Sequence, residues 1–143
     1  MRRKLVLCLG GVLVVSVALP FFFKAQGSLR MKEFEQLAVR SGSLVDAIHR
    51  YADEHQQAPG SLDELVPDYL SEIPSTGLRK YPEYQYQNSV EEDWDSNPWV
   101  LFVNTPKLGI NFDRFIYLPL QNYPENGYGG RLERIGRWAY VHE

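Results

Sequence analysis

The chain is poor in the residues that catalysis, metal capture or nucleic-acid binding would need. Its 143 residues include one cysteine, Cys8, and three histidines, His49, His55 and His142. A single cysteine excludes an intrachain disulfide and a cysteine-based zinc site. No Gly-x-Ser-x-Gly, no Ser-x-x-Lys and no phosphate-cradling glycine loop occurs, so no enzyme activity is expected. Positive charge is also scarce beyond the first 24 residues. Arg2, Arg3, Lys4 and Lys24 are four of the 15 basic residues; the other 11 face all 18 acidic ones, a net of −7. A domain of that sign does not neutralise phosphates, so nucleic acid is excluded as a partner.

Apolar residues are plentiful: 44% are hydrophobic and 13% aromatic, enough to build the core of one domain. The longest uncharged run is Leu5 to Phe23, "LVLCLGGVLVVSVALPFFF". At about 1.5 Å per helical residue, nineteen residues reach roughly 28 Å, close to the thickness of a bilayer's hydrocarbon core. The core of a cleaved signal peptide is shorter, although Ala25-Gln26-Gly27 has the form of a cleavage site, so removal stays open beside a retained anchor. The Arg2-Arg3-Lys4 cluster predicts a cytoplasmic N-terminus and a translocated remainder. Cys8 reads as a small apolar residue of the run, since no small residue precedes it to form a lipidation site.

Beyond Ser28 the apolar residues take helical spacing. Phe34, Leu37, Ala38, Leu44, Val45, Ile48, Tyr51 and Ala52 fall mostly three or four apart, with charges at the other positions. Ser41-Gly42-Ser43 predicts a kink or break, and Pro59-Gly60 predicts the end of the helix. Ser61 and Glu64 have the spacing of a capping box for a second, short helix with a Leu62, Leu65, Val66, Tyr69, Leu70 stripe, interrupted at Pro67. After Thr76 the composition turns aromatic and β-branched. Four strands are predicted, at 84–88, 99–104, 114–120 and 137–143, separated by turns at 91–98, 105–111 and 122–130. This order predicts an α+β domain: a long, membrane-rooted N-terminal helix on a three- to four-stranded antiparallel sheet. The expected division is a cytoplasmic tip and anchor over 1–24, with the span at 5–23, then an extracytoplasmic domain over 25–143, helical over 28–74 and a sheet over 81–143.

The stretch "AIHRYADEHQQAPGSLDELVPDYLSEIP", Ala47 to Pro74, resembles the middle of bacterial type IV pilin-like proteins, especially the major pseudopilins of type II secretion. The likeness rests on Ile48, Tyr51 and Pro59, then on Leu62, Leu65, Tyr69, Leu70 and Pro74. It implies a pilin-like fold in the bacterial inner membrane, single-pass, with a periplasmic or extracellular domain. It also implies a role through protein contacts in an envelope or secretion assembly. The chain departs from that family at the peptidase site. Gly10-Gly11 is followed by Val12-Leu13-Val14-Val15-Ser16, without the family's phenylalanine, and the apolar run carries no glutamate.

Two alternative roles remain. Asp93, Asp95 and Asn97 in "EEDWDSN" alternate like the start of a calcium loop, although Pro98 and Asn104 stand where the helix-loop-helix motif wants glycine and glutamate. Major pseudopilins bind calcium in a loop of their sheet, so calcium is the one cofactor with a candidate site. Tyr81, Tyr84, Tyr86, Trp94, Trp99, Tyr117, Tyr123 and Tyr128 could offer a stacking platform for glycan, with about half expected to face the core. His49 and Asp53 share a helix face four residues apart, a metal-compatible spacing with no second pair to complete it. The expected partners are thus the membrane, through the N-terminal helix, and envelope proteins. Oligomeric state and partner identity are not written in the chain.

Overall fold

The computed structural model of the chain describes residues 27, 29–88, 96–106, 111–125 and 130–142. These fall into two units, one ending at Glu33 and one beginning at Phe34. In the first, residues 27 and 29–33 are helical. Helical residues run from 29 to 55 with one interruption at Ser41, so that α1 covers 29–40 and α2 covers Gly42–His55. The break has a local cause. Ser41 turns its hydroxyl back onto the Ala38 carbonyl at 3.0 Å, and its neighbour Gly42 adds no helix propensity. The helix stops at His55, four residues before Pro59, with Gln56 in the left-handed conformation at φ 57°.

Five strands follow in one antiparallel sheet: β1 Gln85–Gln87, β2 Val100–Asn104, β3 Arg114–Tyr117, β4 Arg131–Ile135 and β5 Trp138–His142. Their order across the sheet is β1-β2-β3-β5-β4. The register pairs Phe102 with Ile116 and Ile116 with Ala139, so alternate residues of β2, β3 and β5 divide between two faces. One face carries Leu101, Val103, Phe115, Tyr117, Trp138 and Tyr140, all buried against the helix. Phe34 stacks on Phe115 at 4.6 Å and lies 4.9 Å from Tyr140. The other face holds Val100, Phe102, Ile116, Leu118, Ala139 and Val141, with Tyr123 and Leu132 packed on it. Both faces are dry, which explains why "VLFV" and "FIYL" are continuous apolar runs despite antiparallel pairing.

The expected layout needs correcting in three respects. The sheet has five strands, not three or four; the additional one is β4, "RLERI", whose three charges conceal it from a hydrophobic pattern. The segment after Ser61 is a single 3₁₀ turn, Leu62–Leu65, with no side-chain cap from Ser61. It buries Leu65 and leaves Val66 37% exposed. Above all, the long membrane-rooted helix of a pilin-like layout, and with it the transmembrane, single-pass, inner-membrane assignment, does not hold. Among the described residues no helix is long and apolar enough to cross a membrane. The physical reason is that 29–55 places a charge on nearly every turn, from Arg30 to Glu54, and its apolar stripe is used against the sheet. The run 5–23 lies outside the described residues.

Gly77 shows how the helix is tied to the segment that leads into the sheet. It sits at φ 73°, and a Cβ there would lie 1.5 Å from the Arg40 guanidinium. The bare glycine lets Arg40 reach the Thr76 carbonyl at 3.2 Å.

Candidate functional site

Two concavities stand out in the unit from Phe34 on, and they differ in kind. The first is an apolar groove of about 350 Å³ beside the helix break. Ala38, Val39 and Val45 form its helical wall, and Tyr117, Ile135 and Trp138 its floor on the sheet. The floor is rigid: Trp138 is 2% exposed and stacks on Phe115 at 4.9 Å. At the mouth, Val39 is 81% exposed. A valine in that position leaves most of its apolar surface in water. Glu35 and Asp46 edge the groove on the helix side, and Arg137 edges it at the β4–β5 turn. The Arg137 guanidinium lies 5.1 Å above the Tyr117 ring. That turn has two residues, Gly136 and Arg137, and Gly136 adopts φ 61°, the pattern of a type II′ hairpin.

The second is an open polar hollow of about 560 Å³ between the end of α2 and the 3₁₀ turn. Helical spacing brings Arg50, Tyr51, Glu54 and His55 to one end of α2, and "SLDELVPDY" returns Glu64 and Tyr69 opposite them. Tyr51 donates to Glu64 Oε2 at 2.7 Å, and the Gly60 amide donates to the same oxygen at 3.1 Å. Tyr69 donates to Glu54 Oε2, lies 3.2 Å from His55 Nε2 and accepts Arg50 at its backbone carbonyl at 2.9 Å. The Tyr51 bond holds the Glu64 carboxyl below the ordinary carboxylate range and raises the Tyr51 phenol. The bond to Glu54 pushes the Tyr69 phenol up to about 12. Glu64, expected to complete a capping box with Ser61, is held first by Tyr51 and Gly60 and only weakly by the Ser61 backbone, and the Ser61 side chain makes no cap.

Of the other sequence candidates, some lie within the described residues and some outside them. Asn97 is fully buried; its Nδ2 donates to Asn122 Oδ1 at 2.7 Å and its Oδ1 accepts the Leu120 amide at 2.9 Å. It therefore serves as an internal clasp between two loops. Asp93 and Asp95, the other calcium candidates, lie outside the described residues, as do Trp94 and Tyr128. Among the described residues no group of three or more acidic, histidine or cysteine side chains is placed to hold a metal. Of the aromatics, Trp99 and Tyr117 are core residues at 2% and 1% exposure. Tyr81, Tyr86 and Tyr123 are half-buried and donate to the carbonyls of Pro106, Pro59 and Arg137. They do not form one open stacking surface.

His49 does not pair with Asp53. It is half-buried, shares a 3.3 Å hydrogen bond with the Tyr117 hydroxyl and sets its ring edge toward Trp99 at 5.2 Å. Burial, and then Arg137, lower its pKa against the opposing pull of Asp53 and Asp46. His142 lies 3.5 Å from Glu133 across the β4–β5 pair. Sequence reasoning missed the groove because its walls come from residues about a hundred positions apart. The one local sign was Val39, an apolar residue off the helix's buried stripe. Comparison of the chain with family models, with curated proteins and with solved structures finds no match.

Proposed function

We propose that the protein works by binding another protein, and that the groove beside the helix break is where it does so. The observation that carries this reading is the exposure of Val39 at the lip of an apolar groove with a rigid aromatic floor. Exposed apolar surface edged by charge is what protein interfaces are made of. The polar hollow supports no such reading, because the Tyr51 and Tyr69 hydroxyls already bond the Glu64 and Glu54 carboxylates, Arg50 bonds the Tyr69 carbonyl, and a ligand would have to displace those bonds.

The test uses the full chain with a photoreactive side chain at position 39 and, as a control, at Lys80. A discrete adduct at 39 and not at 80 identifies the partner. The purified partner should then bind the unlabelled chain and lose at least tenfold affinity on Val39→Asp, but not on Phe112→Asp, which changes another exposed apolar residue. Equal affinity for wild type and Val39→Asp would refute the assignment.

A further inference from the structure

Strand β4 ends the sheet at Ile135, and Ile135 lines the groove. An outer strand beside a helix, with an apolar groove between them, is the geometry in which extended peptides are captured by strand addition. The register allows the details to be worked out. Ile135 and Trp138 close a two-residue turn and form a hydrogen-bonded pair. Antiparallel ladders alternate bonded and unbonded pairs, so Glu133 and Arg131 also turn their amides toward β5, while Leu132 and Arg134 turn theirs away from it. Two residues therefore offer outward N–H and C=O groups, and among the described residues no strand lies on that side.

Native edges are commonly guarded by charged side chains. Here two of the three charges of β4 are committed elsewhere. Arg134 folds back over Tyr123, 4.0 Å from the ring centroid, and donates to Gln121 Oε1 at 2.9 Å. Glu133 lies toward His142. Among the described residues the backbone edge is thereby left approachable. A strand added beside β4 would carry alternate side chains on the helix face of the sheet, level with Ile135 and leading into the groove. The carboxylates of Glu35 and Asp46 are exposed at the helical rim, so the side chain two positions from an apolar anchor, which returns to the same face, is best basic there.

We infer that the partner presents an extended segment, with an apolar anchor and a basic residue two positions from it on the same face, which pairs with Leu132 and Arg134 along β4 and seats its anchor in the groove. This rests on the groove being the binding site, and it adds the mode of binding.

The probe is a fluorescent ten-residue peptide with valine and lysine alternating along its odd positions and threonine at its even positions, titrated by anisotropy against the full chain. Two further versions carry N-methyl groups, one on the amides of the odd positions and one on those of the even positions. Each removes the donors along one edge while keeping every side chain. Strand addition requires that one methylated version lose at least tenfold affinity and that the other bind like the parent. Leu132→Pro, which removes one outward donor, should weaken the parent peptide similarly, and its circular dichroism shows whether the sheet is retained. Equal binding of both methylated versions, with loss on Val39→Asp, would overturn strand addition and leave the groove reading standing. No binding of the parent peptide overturns the proposed occupant. Concentration-dependent dimerisation abolished by Leu132→Pro would also overturn it, by assigning the edge to a second copy of the chain.

Discussion

The groove and the hollow lie on the same domain, about a helix-length apart in sequence along α2, and they are opposites. Beside the exposed Asp68, the hollow is lined with groups that look chemical: two tyrosines, two glutamates, a histidine and an arginine that bond within it. Yet those groups are matched to one another, and their matching pins the 3₁₀ turn to the end of the helix. The groove is lined with groups that look inert, and it is the place where the fold leaves something undone. A site's capacity to bind depends on what remains unsatisfied after folding, and here that is apolar area rather than polar chemistry.

The contrast breaks first at the groove floor. Trp138 belongs both to the groove and to the core, where it stacks on Phe115 and lies 5.5 Å from Tyr117. Trp138→Ala should therefore cost about 3–5 kcal/mol, the range for a large aromatic deleted from a packed interior. Urea unfolding followed by circular dichroism measures it. A loss under about 1 kcal/mol would mean that the floor is not continuous with the core. In the hollow the effect is smaller. Glu64→Ala removes the acceptor of Tyr51 and of the Gly60 amide, and should lower the thermal midpoint less than Trp138→Ala does. Its pH signature follows from sign. The folded-state pKa of Glu64 is depressed, so its contribution is full above the ordinary carboxylate value and fades as pH falls through the lowered one. The difference between wild type and Glu64→Ala should shrink below about pH 4. A constant difference down to acid unfolding would show that the ionised carboxylate is not what stabilises the turn.

How much of this was legible beforehand depended on whether the signal was local. The buried stripe Phe34, Leu37, Leu44, Val45 and Ile48 could be read from spacing, because helical period and burial coincide there. The interior strands could be read because dryness on both faces made them uniformly apolar. β4 could not: an outer strand with Arg131, Glu133 and Arg134 carries the composition of a surface loop. The Ser61–Glu64 spacing marked one partner of the carboxylate, the Ser61 backbone, but not Tyr51 and the Gly60 amide, which hold it more strongly, and the Ser61 side chain makes no cap. The membrane-rooted helix was inferred by carrying the apolar run at 5–23 into an amphipathic pattern. The described helix is too charged for that continuation. The internal bonds of Asn97 were not legible, because nothing local shows that Asn122 and the Leu120 amide will meet the two ends of its side-chain amide.

A smaller effect joins the two regions through pH. His49 lies between them on α2, hydrogen-bonded to Tyr117 under the groove. Its folded pKa is lowered by burial and then by Arg137, while Asp53 and Asp46 oppose. A base whose folded pKa is lowered leaves stability complete above its unfolded value, near pH 6.5. Stability then declines as pH falls below that value, since the unfolded chain binds the proton first, and the decline ends once the folded histidine is itself protonated. The urea midpoint should fall between pH 7.5 and 5.5, and His49→Gln should flatten that fall. An undiminished slope in His49→Gln would assign it to other groups.

The smallest expected effect on stability is the most telling one. Val39 is 81% exposed, so Val39→Asp removes almost no buried area, and valine and aspartate have similar helix propensities. Unfolding free energy should change by no more than about 0.5 kcal/mol, as for surface positions generally. If so, the apolar residue at the groove's lip contributes nothing to folding, and the loss of partner affinity on the same substitution is a loss of contact rather than of structure. A drop of more than about 1 kcal/mol would mean instead that the lip closes over the floor in solution, which would make the groove part of the core and remove the distinction from the self-satisfied hollow. Urea unfolding of Val39→Asp beside Trp138→Ala, on the same chain and in the same buffer, separates a surface built for a partner from one built for the fold.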